Sequence, residues 1–295
     1  MIDIRQTFTY AKYLSKTGWI AKREKGVNYF IKRFPLIGSV IKIQRPKIID
    51  FEYIEKLVKK NKAFQIILEP DLNTHIKSFS FSHNQKLTTG NSTSYHNLLY
   101  NLGFKLSKSP YLPTKTLQLD LNKSEKTLFD GLKKDCRYAL RRNSQNLVSN
   151  YQLKDIGKFR EYWKKAAGTR RYIPSLSHLY ALKKFFGKNC LFLGINSPKQ
   201  IYTGAIFLKT KDIGYYWQAF TNRAGRKQLV QYKIVWEGIL WAKKKGVKIF
   251  DFEGIYDERF PNKSWLGFTH FKESFGGSEI KYPGCFSIFK IPFSI

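Results

Sequence analysis

The chain has 295 residues, more than one hydrophobic core usually spans, and 42% of them are apolar, so two domains or one large one can be filled. Charged residues make up 25%, close to the globular average, which excludes wholesale disorder. The sign of the charge is lopsided: 53 Lys and Arg against 21 Asp and Glu leave +32, a surface that suits nucleic acid, an anionic membrane face or phosphorylated small molecules.

In chain order, Phe8, Ala11 and Leu14 predict a helix over residues 7–17, closed by Gly18. Short β-like runs follow at 27–31 and 39–43, then a helix over 51–60 with Ile54, Leu57 and Val58 on one face. A buried strand over 64–68 is stopped by Glu69-Pro70. This order of helix, strands, helix and strand is an α/β unit the size of a small domain. Residues 79–113 are rich in Ser, Asn, Thr and Pro, which predicts loops around one short helix near 95–102, leading from one domain to the next.

A fuller round begins with an alternating strand over 116–121 and a helix over 124–142. Helices then fit 157–167 and 177–186, and strands fit 191–195, 201–209 and 214–220. A helix over 228–245 is apolar nearly all round and must be largely buried, and a strand over 247–252 completes the round.

Four groups of residues in this round can carry chemistry. On the helix over 124–142, Leu128, Leu132, Cys136, Ala139 and Leu140 share one arc, while Lys134, Arg137 and Arg141 lie opposite. That cationic stripe is either a solvated face or a phosphate-binding one, since planar guanidinium forks suit phosphate. The turn Asn222 to Lys227 precedes a helix and would place amides at its start, a weak phosphate signal with a single glycine. Asp251 and Glu253 sit with period two at a strand end, where α/β proteins place functional groups. Such an acid is a general base or a carboxylate anchoring loop amides, with the anchor slightly favoured.

The least ordinary stretch is Gly267 to Gly277, in which Lys272 stands among phenylalanines ahead of a glycine pair. A lysine held among aromatics is a poised cation, able to stabilise a developing oxyanion in acyl transfer; the other reading is an aromatic mini-core with a snorkelling lysine. The glycines would let the backbone come close to a ligand. Five scattered histidines and three cysteines show no metal spacing and no triad motif, so metal and triad chemistry are not expected. Few cysteines, no apolar run of membrane length and no signal-like N-terminus predict a soluble cytoplasmic protein.

Taken together, these pieces resemble the FemABX-like aminoacyltransferases of peptidoglycan bridge formation, relatives of the GNAT acyltransferases, over nearly the whole chain. The likeness is carried by Thr116 to Leu121, by Leu128 through Lys134 to Arg142, by Tyr216 to Ala219, by Trp236 through Phe250 to Ile255, and most specifically by Phe271-Lys272-Glu273-Ser274-Phe275-Gly276-Gly277. Gly18 to Lys22 and Leu68 to Pro70 resemble the family's first domain more loosely.

The resemblance implies an α/β fold of two tandem GNAT-like domains with mixed sheets. The first spans 1–115, with the tail 283–295 returning to it, and the second spans 116–282. It implies an aminoacyl-tRNA donor and no further cofactor. The acceptor would be an amine on the stem peptide of a UDP-linked or lipid-linked peptidoglycan precursor, held in a groove between the domains. The protein would act as a monomer in peripheral contact with the anionic inner face of the membrane. Lys272 resembles the family's oxyanion-stabilising lysine, with Phe271 shaping the site; Asp251 is a further catalytic candidate and Tyr216 a substrate-binding one. Lys22, Arg170 and Arg171 resemble groups that hold the precursor diphosphate. The short interval between Tyr180 and Leu191 leaves no room for the long helical arm of some members. Two other readings stay open: a GNAT N-acyltransferase using acyl-CoA, and a basic RNA-binding protein without turnover.

Overall fold

The computed structural model describes residues 1–77, 92–168, 172–196 and 201–289. The chain forms two compact units: an N-terminal unit of Arg5–Thr114 with Lys281–Ile295, and a C-terminal unit of Lys115–Ile280 with Met1–Ile4.

In the N-terminal unit the order is α1 (Phe8–Ser15), β1 (Ile20–Glu24), β2 (Val27–Phe34), β3 (Gly38–Gln44), β4 (Ile48–Ile49), α2 (Phe51–Asn61), β5 (Ala63–Glu69), β6 (His75–Ile76), α3 (Ser92–Asn101) and β7 (Lys105–Leu106). Thr7 caps α1, its hydroxyl accepting from the Tyr10 amide at 3.1 Å. Lys25 and Gly26, both at positive φ, make the two-residue turn between β1 and β2 that matches the twist of a hairpin. Strands β3 and β5 are parallel, which requires the crossover that α2 supplies. The sheet runs β1-β2-β3-β5, then the late strand Phe286–Phe289, then β7. Phe286 is wholly buried and joins a core with Tyr29, Ile41, Ile54, Leu57 and Leu68.

The C-terminal unit contains β8 (Lys115–Asp120), α4 (Glu125–Asp130), α5 (Lys134–Arg142), β9 (Ser149–Asn150), α6 (Ile156–Ala167), α7 (Leu176–Phe186), β10 (Cys190–Asn196), β11 (Ile201–Lys209), β12 (Ile213–Thr221), α8 (Arg223–Gln228), α9 (Val230–Lys244), β13 (Ile249–Asp251), α10 (Leu266–Glu273) and β14 (Ser278–Lys281). The late strand of the other unit is thus β15. The mixed sheet has the order β14-β8-β13-β12-β11-β10-β9, with β12 and β13 parallel and α9 crossing between them. Helix α9 buries Val230, Ile234, Val235 and Ile239 in the largest core, as its apolar circumference requires. No long helical arm interrupts the described residues, since β10 begins four residues after α7 ends.

Several boundaries differ from the sequence reading. The single helix over 124–142 is two helices, because Lys133 is extended (ψ 157°) and its amide donates to the Ser274 carbonyl at 2.9 Å. Leu128, Leu132 and Cys136 keep a spacing of four across the break and all face the core, so their periodicity hides it. The helix over 228–245 starts at Val230, since Leu229 is left-handed at φ +60°. The turn before it is the short helix α8, capped by Asn222, whose Oδ1 accepts from the Gly225 amide at 2.7 Å. The strand over 247–252 pairs only through Ile249–Asp251. Strands β1, β14 and β15 and helix α10 have too few alternating or periodic positions to be read locally.

Phe286→Ala removes a fully buried ring from the N-terminal core and is expected to cost about 3–5 kcal/mol of that unit's stability, measured by urea unfolding. A cost below about 1 kcal/mol would mean that β15 does not pack there in solution.

Candidate functional site

The site is built in the C-terminal unit from β8, β13, the bend after β13 and α10. Helix α10 presents two faces. Phe271 on the helix and Phe275, just past its end, turn toward α9, with ring centroids 4.8 and 5.7 Å from that of Tyr232. Phe268 and Lys272 lie on the other face, the ammonium 4.9 Å from the Phe268 ring centroid and 5.7 Å from that of Tyr216.

Lys272 is only 8% exposed, and its Nζ donates to the Gly254 carbonyl at 2.5 Å. Burial pushes its pKa down to about 8, against the charges of Glu253 and Asp251, which hold it up. Near neutral pH the group is therefore a cation with little water around it, at the edge of losing its proton.

The carbonyl that receives this ammonium is aimed by a bend of two residues at positive φ, Glu253 at +53° and Gly254 at +108°. Asp251 fastens the bend. Its Oδ1 accepts from the Thr116 hydroxyl and the Glu253 amide, each at 2.7 Å, and its Oδ2 accepts from Gln118 Nε2 at 2.7 Å. The Thr116 hydroxyl in turn accepts from the Gly254 amide at 3.1 Å. Thr116 and Gln118 come from β8, the antiparallel neighbour of β13, and the register sets Asp251 opposite Gln118. Burial raises the Asp251 carboxyl while these three donors favour its ionised form. With both oxygens engaged and 4% exposure, Asp251 has the arrangement of an anchor.

The structure thus brings Lys272, Tyr216 and Asp251 together. Tyr216 is half-buried, its ring also stacked on Phe207 at 5.6 Å, and burial raises its phenol pKa. Phe271 sits on the packing face of α10. A Cβ on Gly277 would lie 2.7 Å from the Gln118 carbonyl oxygen, so that glycine lets the chain turn closely onto β8.

On α5, Lys134 and Arg141 are exposed, whereas the Arg137 guanidinium donates to the carbonyls of Leu132 and Asp130 and braces the break before the helix. Lys22 is exposed on β1 of the N-terminal unit. Arg170 and Arg171 lie outside the described residues. Sequence reading did not assign Thr116, Gln118 or Phe268 to the site. Phe268 had a usable signal, its spacing of four from Lys272; the role of Thr116 depends on strand pairing. Among the described residues no group of three or more His, Cys, Asp or Glu could hold a metal, and the three cysteines are buried and free.

A folded-state pKa below that of an unfolded lysine (about 10.4) means that unfolding takes up a proton between about pH 8 and 10, so stability rises with pH across that window. Lys272→Met is expected to make this rise smaller, the remainder coming from Lys42 and Lys209, which burial also lowers. In lysine-labelled protein, NMR is expected to find one ammonium titrating near pH 8 that the variant lacks; a Lys272 resonance titrating above pH 10 would contradict the burial described here.

No protein-family model and no curated protein sequence matches the chain. Solved structures do. FemX superposes over 98% of this chain and 92% of its own, with a TM-score of 0.75 at 15% identity. The C-terminal domain of a protein assigned as lysylphosphatidylglycerol synthetase from Agrobacterium fabrum does so over 98% and 89%, at 0.58 and 10%. A tandem GNAT protein from the clavulanic acid biosynthesis pathway covers 90% and 81%, at 0.53 and 10%. At these identities the likeness is one of fold: the chain shares its architecture with these proteins, one of them a tandem GNAT protein.

Proposed function

We propose that this chain is an aminoacyltransferase of the FemABX-like, GNAT-related group. It moves an amino acid from aminoacyl-tRNA onto an amine on the stem peptide of a peptidoglycan precursor, UDP-linked or lipid-linked. The observation that carries the reading is Lys272, a dehydrated cation among aromatic rings, held by a backbone carbonyl on an anchored bend. The fold shared with FemX supports it.

The chemistry asks for little else. The acceptor amine attacks the carbonyl carbon of the aminoacyl ester, a C–N bond forms, and the carbonyl electron pair moves to oxygen. Lys272 meets that negative charge with an N–H donor in surroundings where charge interactions are strong. Collapse of the intermediate restores the carbonyl and expels the ribose oxygen, which gains the proton the amine gives up. Positioning and oxyanion stabilisation supply most of the rate, because an ester is already an activated acyl group.

Both substrates are anionic, and a net charge of +32 answers to both. Lys22, Lys134 and Arg141 are exposed cations available to their phosphates. Among the described residues no helix is long and apolar enough to cross a membrane. We place the protein in the cytoplasm, meeting a lipid-linked acceptor from the membrane surface.

The test offers UDP-MurNAc-pentapeptide with either charged tRNA or acyl-CoA and reads product mass. A gain of one aminoacyl residue that depends on charged tRNA is expected. Acylation from acyl-CoA alone would make the chain a GNAT N-acyltransferase, and RNA binding without any product would make it a binding protein. Lys272→Met is expected to lower kcat by about 10²–10³-fold while the melting temperature holds, and unchanged turnover would remove the proposed role. Since Lys272 acts in its protonated form, the wild-type rate is expected to fall as pH rises through about 8.

A further inference from the structure

The hairpin between β2 and β3 ends in four consecutive apolar residues that the fold does not use. Phe34, Pro35, Leu36 and Ile37 are all exposed, Ile37 at 62% and Leu36 at 107%, which leaves the leucine side chain wholly in water. Leu36 also holds φ +65°, a conformation that glycine or asparagine adopts more readily. Scattered apolar residues on a surface are ordinary, whereas a contiguous exposed run marks a surface that meets something apolar. Phe289 is 70% exposed, and strand pairing sets it in one row with Lys32, Val40 and Gln65, at the end of the sheet that carries the hairpin tip.

The surroundings of this tip are cationic. The C-terminus of α2 abuts the base of the hairpin, where the Ser39 amide donates to the Lys62 carbonyl at 3.1 Å. Lys59, Lys60 and Lys62 are exposed there, and Arg33 is exposed on the hairpin itself. The sequence has no acidic residue from Lys25 to Ile49 or from Lys56 to Leu68, so the two segments that build this end carry no charge to offset the cations.

An apolar tip flanked by cations matches the layers of an anionic bilayer surface, phosphate headgroups outside and acyl chains beneath. A nucleic acid would engage the cations and leave the apolar residues in water. An apolar protein surface would cover the tip and leave the cations unmatched. We propose that this end of the N-terminal unit is a membrane-docking surface: Leu36 and Ile37 enter the acyl boundary of an anionic leaflet, while Arg33, Lys59, Lys60 and Lys62 bind its phosphates. The proposal rests on the membrane placement made above and gives it a contact, and it uses nothing of the transfer chemistry.

Binding is measured by co-sedimentation of the full chain with vesicles of phosphatidylcholine alone or in equal parts with phosphatidylglycerol, with neither tRNA nor precursor present. Wild type is expected to bind the anionic vesicles at least about tenfold more strongly than the neutral ones, and to lose that preference as salt is raised. Leu36→Asn with Ile37→Ser removes the apolar tip and is expected to lower the partition coefficient by about tenfold or more. Lys59→Gln, Lys60→Gln and Lys62→Gln together are expected to lower it by about 10²-fold. Because these side chains are exposed, both variants should melt within about 3 °C of wild type. All three cysteines are buried, so a dye on Leu36→Cys reports on the tip alone, and its emission is expected to shift to the blue on anionic vesicles.

A wild type that ignores anionic vesicles, a tip variant that binds within about twofold of wild type, or a dye that stays in water on bound protein would each overturn the proposal. So would a concentration-dependent dimer that the tip variant abolishes, since a second copy would then cover the tip. A wild type that transfers from charged tRNA but binds no vesicle removes this proposal alone. One that binds vesicles through the tip but transfers nothing removes the aminoacyl-transfer reading alone.

Discussion

One buried charge organises the C-terminal unit. An ammonium taken out of water loses hydration that a protein replaces only with dipoles, rings or counter-charges set in place beforehand. Here Lys272 receives a carbonyl at 2.5 Å, two ring faces, and the nearby charges of Glu253 and Asp251. The compensation is partial, which is why the pKa settles at about 8 and not near 10. A fully compensated lysine would be more stable and less useful, because its N–H donors would already be spent.

The supporting structure serves that compensation. Asp251 and Thr116 belong to neighbouring strands, and their hydrogen bonds fix two successive amides of the bend between them. The break between α4 and α5 reaches the same region from another side, since the Lys133 amide holds the Ser274 carbonyl just past α10. Helix α10 is therefore tied beyond its C-terminus, where Phe275 packs with Phe271 against Tyr232, and left with one face for Phe268 and Lys272. Rigid elements around a strained bend are the arrangement in which donors can be preorganised for a charge that develops only during reaction.

The acidic side of the site divides its labour by exposure. Asp251 is enclosed and saturated with donors, so it shapes the backbone; Glu253, two residues on, is half-buried and its charge helps keep Lys272 protonated. Asp251 closes β13, while Glu253 lies beyond the strand at positive φ, so the two acids have different surroundings.

The sequence by itself determined the elements with strong periodicity: the buried helix α9, the strands β10 to β12, the capped helix α1, and the cationic stripe of α5. It also marked Lys272 as a cation among aromatics and Asp251 with Glu253 as acids at a strand end, because residue type and short spacing are local properties. Only the tertiary structure decided which acid is enclosed, which ring faces the lysine, and which carbonyl accepts its hydrogen bond. Those outcomes depend on the register of β8 against β13 and on the approach of α10 to the bend, pairings between residues more than a hundred positions apart in one case. Local periodicity carries no record of such pairings, since the energy that fixes them is released only when distant segments meet.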